Sequence, residues 1–222
     1  MELNVVPGGA FVENTYILKS SESDEVIIID PGSQINEIEE HLSNIKFQKL
    51  VIINTHAHLD HIYGVEYFKN KYNAPFLIHQ NETPIINVMA DAAMRFGLEE
   101  FSNPQIPNVD RFITENEELN FGGLIFNTIL VPGHSPGSLC FSFIKKYNKE
   151  IDQEFVICGD TVFAGSIGRV DLTGGTNMND LVSNINKKLM VLPDDTILFP
   201  GHGPETQVGI EKKSNPFLLG YS

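Results

Sequence analysis

Three of the seven histidines in this 222-residue chain fall within six positions, in the run His56-Ala57-His58-Leu59-Asp60-His61. At this composition a His-x-His-x-Asp-His pattern arises by chance in roughly three of ten thousand chains, which sets it far above background. Imidazole and carboxylate are the donors that N/O-seeking divalent ions such as zinc take. The apolar run at 50–53 leads into the cluster. Residues two apart in an extended segment point the same way, so His56 and His58 can approach one ion together. Asp60 and His61 open the amphipathic stretch at 62–72 and face back from a helix N-terminus toward the same spot. Two duller readings compete: Asp60 serves only as the N-cap of that helix, or the histidines are surface residues grouped by accident.

Two more histidines and an aspartate sit in similar settings. His134 stands in Pro132-Gly133-His134-Ser135-Pro136-Gly137, Asp160 in Gly159-Asp160-Thr161, and His202 in Pro200-Gly201-His202-Gly203-Pro204. Each follows an apolar, β-branched run (124–131, 155–158 and 196–199), and its small, turn-forming neighbours permit close backbone approach. Singly, each is as much a turn residue as a ligand. With the first cluster they complete a set of seven. His41, beside Glu39 and Glu40 in a helix, reads as solvated, whereas His79 ends a strand and is a candidate for a supporting role behind the ligands.

The elements that must position these groups are short. Runs at 3–6, 15–18, 26–29, 50–53, 76–78, 124–131, 139–144, 155–158 and 196–199 predict strands, with hairpin-like polar connectors at 20–25 and 145–154. Helical periodicity at 35–42, 62–72, 85–96 and 181–192 predicts helices arriving singly between strands. That is an α/β arrangement with helices on the sheet faces. Residues 103–110, with Pro104 and Pro107, predict a loop or lid.

Length permits one large domain or two small ones, and 41% hydrophobic residues suffice for a full core. Fifteen Lys and Arg against 29 Asp and Glu give a net charge of −14, the wrong sign for nucleic-acid phosphates. Cys140 and Cys158 are too few for a disulfide framework and are not spaced as a metal knuckle. They predict two reduced thiols in a cytoplasmic protein. No apolar run approaches 18 residues, and Met1-Glu2-Leu3-Asn4 lacks the plan of a signal peptide, so neither membrane nor secretion is expected.

The ordered set His56, His58, Asp60, His61, His134, Asp160 and His202 resembles the metallo-β-lactamase superfamily, over residues 3 to about 205. Within it, the resemblance is to the glyoxalase II-like hydrolases. Short bacterial members are similar in Gly133-His134-Ser135-Pro136-Gly137-Ser138 and in Gly159-Asp160-Thr161-Val162-Phe163-Ala164-Gly165-Ser166. They are similar again in Gly168-Arg169-Val170-Asp171-Leu172-Thr173-Gly174-Gly175 and Asn215-Pro216-Phe217-Leu218. The resemblance implies an α/β fold of the αββα sandwich class, two mixed sheets flanked by helices. It implies one domain over 1–222, with the metal site at one edge between the sheets. His56, His58 and His134 would hold one metal, Asp60, His61 and His202 the other, and Asp160 would bridge. Zinc is the expected ion, with iron or manganese as alternatives. A hydroxide between the metals would be the nucleophile, because a metal lowers the pKa of bound water to about 7. The metals would also stabilise the developing oxyanion. Asp60, once coordinated, would orient the hydroxide and not act as a general base.

Two departures bear on substrate. Full-length glyoxalase II enzymes carry a helical C-terminal domain that helps grip glutathione, and only about 20 residues follow His202 here. Those enzymes also offer glutathione a lysine and a tyrosine after the bridging aspartate, where the nearest equivalents here are Arg169 and Asp171. Arg169 is the candidate substrate-binding residue, able to clasp a carboxylate in a bidentate way. The competing reading pairs it with Asp171 to hold the loop. The expected function is metal-dependent hydrolysis of a thioester or ester, S-lactoylglutathione or a related small thioester, with a small-molecule partner and the oligomeric state open. A persulfide dioxygenase with one iron on His56, His58 or His134 and Asp160, or a lactone hydrolase, are the alternatives. A β-lactamase is disfavoured because the common subclass is exported and has Cys where Asp160 stands. Charge opposes a nuclease, and His58 stands where flavodiiron proteins have Glu. A non-enzymatic, metal-stabilised module would need the closed, cysteine-containing set of a structural zinc site.

Overall fold

A strand buried on both faces needs apolar residues at successive positions, and Val26 to Ile29 and Leu50 to Ile53 supply them. In the computed structural model, which describes residues 1–219, these segments form the parallel centre of a six-stranded sheet. The last three residues of the expected 1–222 span lie outside the described residues. The chain divides into two compact units, Met1–Ile113 with Asn120–Leu124, and Thr114–Leu119 with Ile125 onward.

In the first unit the elements run β1 (Glu2–Gly8), β2 (Glu13–Lys19), β3 (Glu25–Ile29), α1 (Ile35–Ser43), β4 (Lys49–Ile53), α2 (Leu59–Ile62), α3 (Val65–Tyr72), β5 (Phe76–His79), α4 (Thr83–Asn87), α5 (Met89–Phe96) and β6 (Arg111–Ile113). The sheet order is β1-β2-β3-β4-β5-β6. β1, β2 and β3 pair antiparallel, and β3 through β6 pair parallel. Parallel neighbours require crossovers, and the helices supply them. Val26, Ile28, Leu50, Ile52, Phe76 and Ile78 share one cluster with Ile38 and Leu42 of α1, Val65 and Phe68 of α3, and Met89 and Ala93 of α5. Each buried Val, Leu, Ile, Phe or Met among them contributes about 1.5–3 kcal/mol of transfer free energy.

The helix expected at 62–72 begins earlier and breaks into α2 and α3 at Gly64. A Cβ there would lie 2.5 Å from the Gly32 carbonyl oxygen, so the chain turns where only glycine fits. The helix expected at 85–96 likewise divides at Val88 into α4 and α5.

The second sheet has the order β14-β13-β10-β9-β8-β7. Its strands are β7 (Glu118–Phe121), β8 (Leu124–Leu130), β9 (Leu139–Phe143), β10 (Phe155–Gly159), β13 (Ile197–Pro200) and β14 (Thr206–Gln207); β11 (Val162–Phe163) and β12 (Ser166–Ile167) form a separate hairpin. β10 and β13 are parallel, while β8–β9, β9–β10 and β13–β14 are antiparallel. Helix α6 (Met178–Lys188) starts three residues before the expected 181, because Asn177 caps it by accepting from the Asp180 amide at 2.9 Å. It buries Leu181, Val182 and Ile185 with Val131, Cys140, Val156 and Leu198. Helix α7 (Val208–Ser214) follows β14. Both cysteines are buried and unbridged. Among the described residues, no helix is long and apolar enough to cross a membrane.

Candidate functional site

The turns that carry the candidate ligands emerge where parallel strands end side by side, the position at which open α/β sheets commonly bind ligands. In the first unit Ile29 of β3 pairs with Ile53 of β4, so Asp30 and residues 54–56 leave the sheet together. Asp30 sits at φ +53°, a left-handed conformation that aspartate tolerates. It is fully buried. Its carboxylate accepts from the Thr55 amide at 2.7 Å, from the Thr55 hydroxyl at 2.6 Å and from His61 Nδ1 at 3.1 Å. Asn54 ties the turn by donating to the carbonyls of His61 at 2.8 Å and His56 at 3.3 Å. The Ala57 amide donates to the buried Glu82 at 2.8 Å.

All four sequence-predicted residues of this unit gather here. The His56 and His58 rings are 4.8 Å apart and the His56 and His61 rings 4.1 Å. Asp60 Oδ2 lies 3.9 Å from His61 Nε2. Two atoms each bonded at about 2.0–2.1 Å to one ion are at most ~4 Å apart, so both can reach a shared ion. His58, not Asp60, is the N-cap residue of α2, and Asp60 lies in its first turn. Behind them Glu13 is buried 3.8 Å from His61 Nδ1 and accepts from Gln34 at 2.7 Å. Burial pushes its carboxyl well above the ordinary carboxylate range, with His61 opposing.

In the second unit Gly159 pairs with Pro200 at the ends of parallel β10 and β13, and the Gly201 amide donates to the Gly159 carbonyl at 2.9 Å. Asp160 and His202 therefore leave adjacent strand ends. The two Asp160 oxygens face different histidines: Oδ2 is 3.4 Å from His134 Nε2 and Oδ1 is 3.6 Å from His202 Nε2. That division is what a carboxylate shared between two ions requires. The turn carrying His134 is held to α6 by Asn184, which donates to the Pro132 carbonyl at 2.7 Å. A Cβ at Gly168 would lie 2.0 Å from the Asp160 carbonyl oxygen and 3.1 Å from His134 Cβ, so the loop passes the ligands at backbone distance.

The donor chemistry fits divalent ions. His134 Nδ1–H donates to the Arg169 carbonyl at 2.8 Å, and His61 Nδ1–H to Asp30. The Thr55 hydroxyl proton is committed to Asp30, which leaves its oxygen to accept from His56 Nδ1–H at 3.0 Å. An imidazole whose Nδ1 carries the proton presents its lone pair at Nε2, and such supporting bonds fix ligand orientation. One donor atom each from Asp30, His56 and His61 lie within 4.8 Å of one another. Asp30's oxygens already accept from Thr55 and His61, which suits it to backing the imidazoles.

Arg169 is exposed, and its guanidinium forms a two-pronged bond to Asp171, 2.7 Å on each side. The Arg169 guanidinium holds the Asp171 carboxyl down to about 2. His79 Nδ1 accepts from the Asn81 amide at 3.2 Å and His41 Nδ1 lies 3.0 Å from the Glu37 carbonyl.

The family model for the metallo-beta-lactamase superfamily matches residues 8–202. The probable metallo-hydrolase YqgX of Bacillus subtilis is 38% identical over all of both chains. Hydroxyacylglutathione hydrolase GloC of Haemophilus influenzae is 31% identical over 98% of each. The solved structure of BLEG-1, a B3 metallo-beta-lactamase, superposes with a TM-score of 0.86 at 31% identity, over 99% of this chain and 100% of that one. The two mixed sheets flanked by helices match that neighbour's fold.

Proposed function

Because the chain belongs to the metallo-β-lactamase superfamily, we propose that it is a metal-dependent hydrolase of small thioesters, working as one catalytic domain. The observation that carries this reading is that three imidazoles each set Nδ1 at 2.8 to 3.1 Å from an oxygen of the chain, an arrangement that leaves Nε2 to face an ion. In this reading His56, His58 and His134 would hold one divalent ion, zinc first among the choices, Asp60, His61 and His202 would hold a second, and Asp160 would serve both. Such ions would supply a hydroxide near neutral pH, by bringing the pKa of a bound water to about 7, and would polarise a carbonyl. Asp30, Thr55 and the Arg169 carbonyl keep the imidazoles aimed, and Asp60 orients the attacking oxygen.

The name of the Haemophilus relative supports a thioester. The Arg169–Asp171 fork argues against a tight grip on glutathione at this loop, since the guanidinium already has a carboxylate and Asp171 would repel another. Small thioesters in general are therefore the substrate class. BLEG-1 favours a second reading, β-lactam opening.

The test is metal analysis of the purified protein with three assays: S-lactoylglutathione, a thioester without glutathione, and a chromogenic cephalosporin. Two zinc with turnover of both thioesters supports the proposal. Cephalosporin turnover alone would replace it with the second reading. One iron with oxygen uptake on a persulfide would replace both with a dioxygenase.

A further inference from the structure

A cavity of about 390 Å³ opens in the first unit beside α5, lined by Ala90, Ala93, Met94, Leu98, Phe101 and Pro104 among others. Glu99 is the one charged residue in that lining. Met94 is 73% exposed, and Phe96 and Leu98 also show apolar surface. The Phe11 ring, from the β1–β2 connection, extends the surface by meeting Phe96 at 5.1 Å and Phe101 at 5.8 Å. Apolar surface gathered around a concavity of this size is characteristic of small-molecule sites, which run about 300–1,000 Å³.

The cavity also backs onto the ligand-bearing segment. Phe101 meets Tyr63 edge-on at 5.2 Å, and Tyr63 is the C-cap of α2, the helix that carries Asp60 and His61. α2 and α5 pack on each other. We infer that this cavity takes the apolar acyl chain of the substrate, so that neutral medium-chain acyl thioesters are preferred over acetyl. Glu99 disfavours an anionic chain end. The inference rests on the hydrolase reading above for the word substrate, and on the cavity alone for acyl binding.

The test uses the full chain and N-acetylcysteamine thioesters from acetyl to octanoyl. It adds methyl-¹³C methionine spectra during titration with S-octyl-N-acetylcysteamine, a thioether that cannot be hydrolysed. The Met94 methyl signal should shift with the thioether. kcat/KM should rise about fifteenfold or more from acetyl to octanoyl, the gain from burying just two methylenes at about 0.8 kcal/mol each. Met94→Glu should bring that ratio toward one, whereas Val191→Glu, exposed in the other unit, should keep it. Turnover with a flat chain-length profile and an unmoved Met94 signal would overturn the inference and leave the hydrolase reading standing. A Met94 shift without turnover of any thioester would support acyl binding and sink the hydrolase reading alone. A Met94 signal that moves with protein concentration and not with the thioether would overturn the inference in favour of a second copy of the chain.

Discussion

Replacing Asp30 with Asn tests the proton-placement argument while preserving shape. Asn accepts the left-handed conformation at φ +53° as readily as Asp. Its Oδ1 still accepts from the Thr55 amide, 2.7 Å away in the parent. Its Nδ2, however, is a donor placed where the Thr55 hydroxyl at 2.6 Å and His61 Nδ1–H at 3.1 Å now donate; the hydroxyl can rotate to accept from it, but His61 Nδ1–H cannot. Two donors cannot share that contact. His61 must move its proton to Nε2, the atom that ligation requires, or lose the bond. Loss of such a supporting bond lowers metal affinity about 10–100-fold. Loss of one pairing to a charged group costs about 1–3 kcal/mol of stability. Zinc affinity by chelator competition, histidine tautomers by ¹⁵N NMR and urea midpoints measure the three effects. Asp30→Ala should be worse for stability, at about 3–5 kcal/mol, because it strips acceptors from three buried donors. An Asp30→Asn protein that binds zinc within about twofold of the parent, with His61 still protonated at Nδ1, would refute the reasoning.

Asp160→Ala should lose most metal and turnover together while its unfolding free energy from urea titration, measured after metal removal beside the parent, stays within about 1 kcal/mol; full metal content would remove Asp160 from the ligand set. The Asp171 carboxyl should titrate at about 2 by NMR, against an ordinary 3.8, and rise toward the ordinary value in Arg169→Ala, where the Arg169 fork, its largest cause, is gone. Its folded value is lowered, so the pair's small support is present above about pH 4 and disappears as pH falls through about 2. An ordinary value in the parent would mean that the fork does not persist in solution. Burial pushes the Cys140 thiol up to about 12 and Cys158 well above its usual range, so an aromatic disulfide reagent at pH 8 should label neither thiol until guanidinium unfolds the protein. Rapid labelling of the native protein would show that these two strands open readily.

The candidate run at 56–61 was legible because its residues are contiguous and chemically improbable together. His134, Asp160 and His202 were legible because each ends an apolar run in small residues. Asp30 carried the same signal, an aspartate closing the strand at 25–29 before Pro31-Gly32, yet a lone Asp-Pro-Gly reads as a turn. Glu13 and Glu82 gave no signal, because an acidic residue in a polar-looking stretch shows nothing of its burial. Nine of the ten strands of four or more residues were readable from their apolar runs; β7, with the sequence Glu-Leu-Asn-Phe, was missed because only two of its four residues are apolar and neither is β-branched. β6, β11, β12 and β14, two or three residues each, are too short to display any period. The break at Gly64 depends on Gly32 approaching from 32 positions away, information no local window holds.

The bonds to Nδ1 of His56, His61 and His134 are made by a threonine hydroxyl, a carboxylate and a peptide carbonyl of the chain itself. Coordination therefore does not have to pay for arranging these rings, and an ion can exchange without the chain refolding around it. A template of that kind ranks divalent ions by their intrinsic affinity for nitrogen and oxygen and by how much of each is on offer. What the protein carries when isolated should then depend on the culture medium as much as on its own chemistry. Identical molecules grown with zinc, iron or manganese in excess should emerge as different metalloforms on one unchanged scaffold.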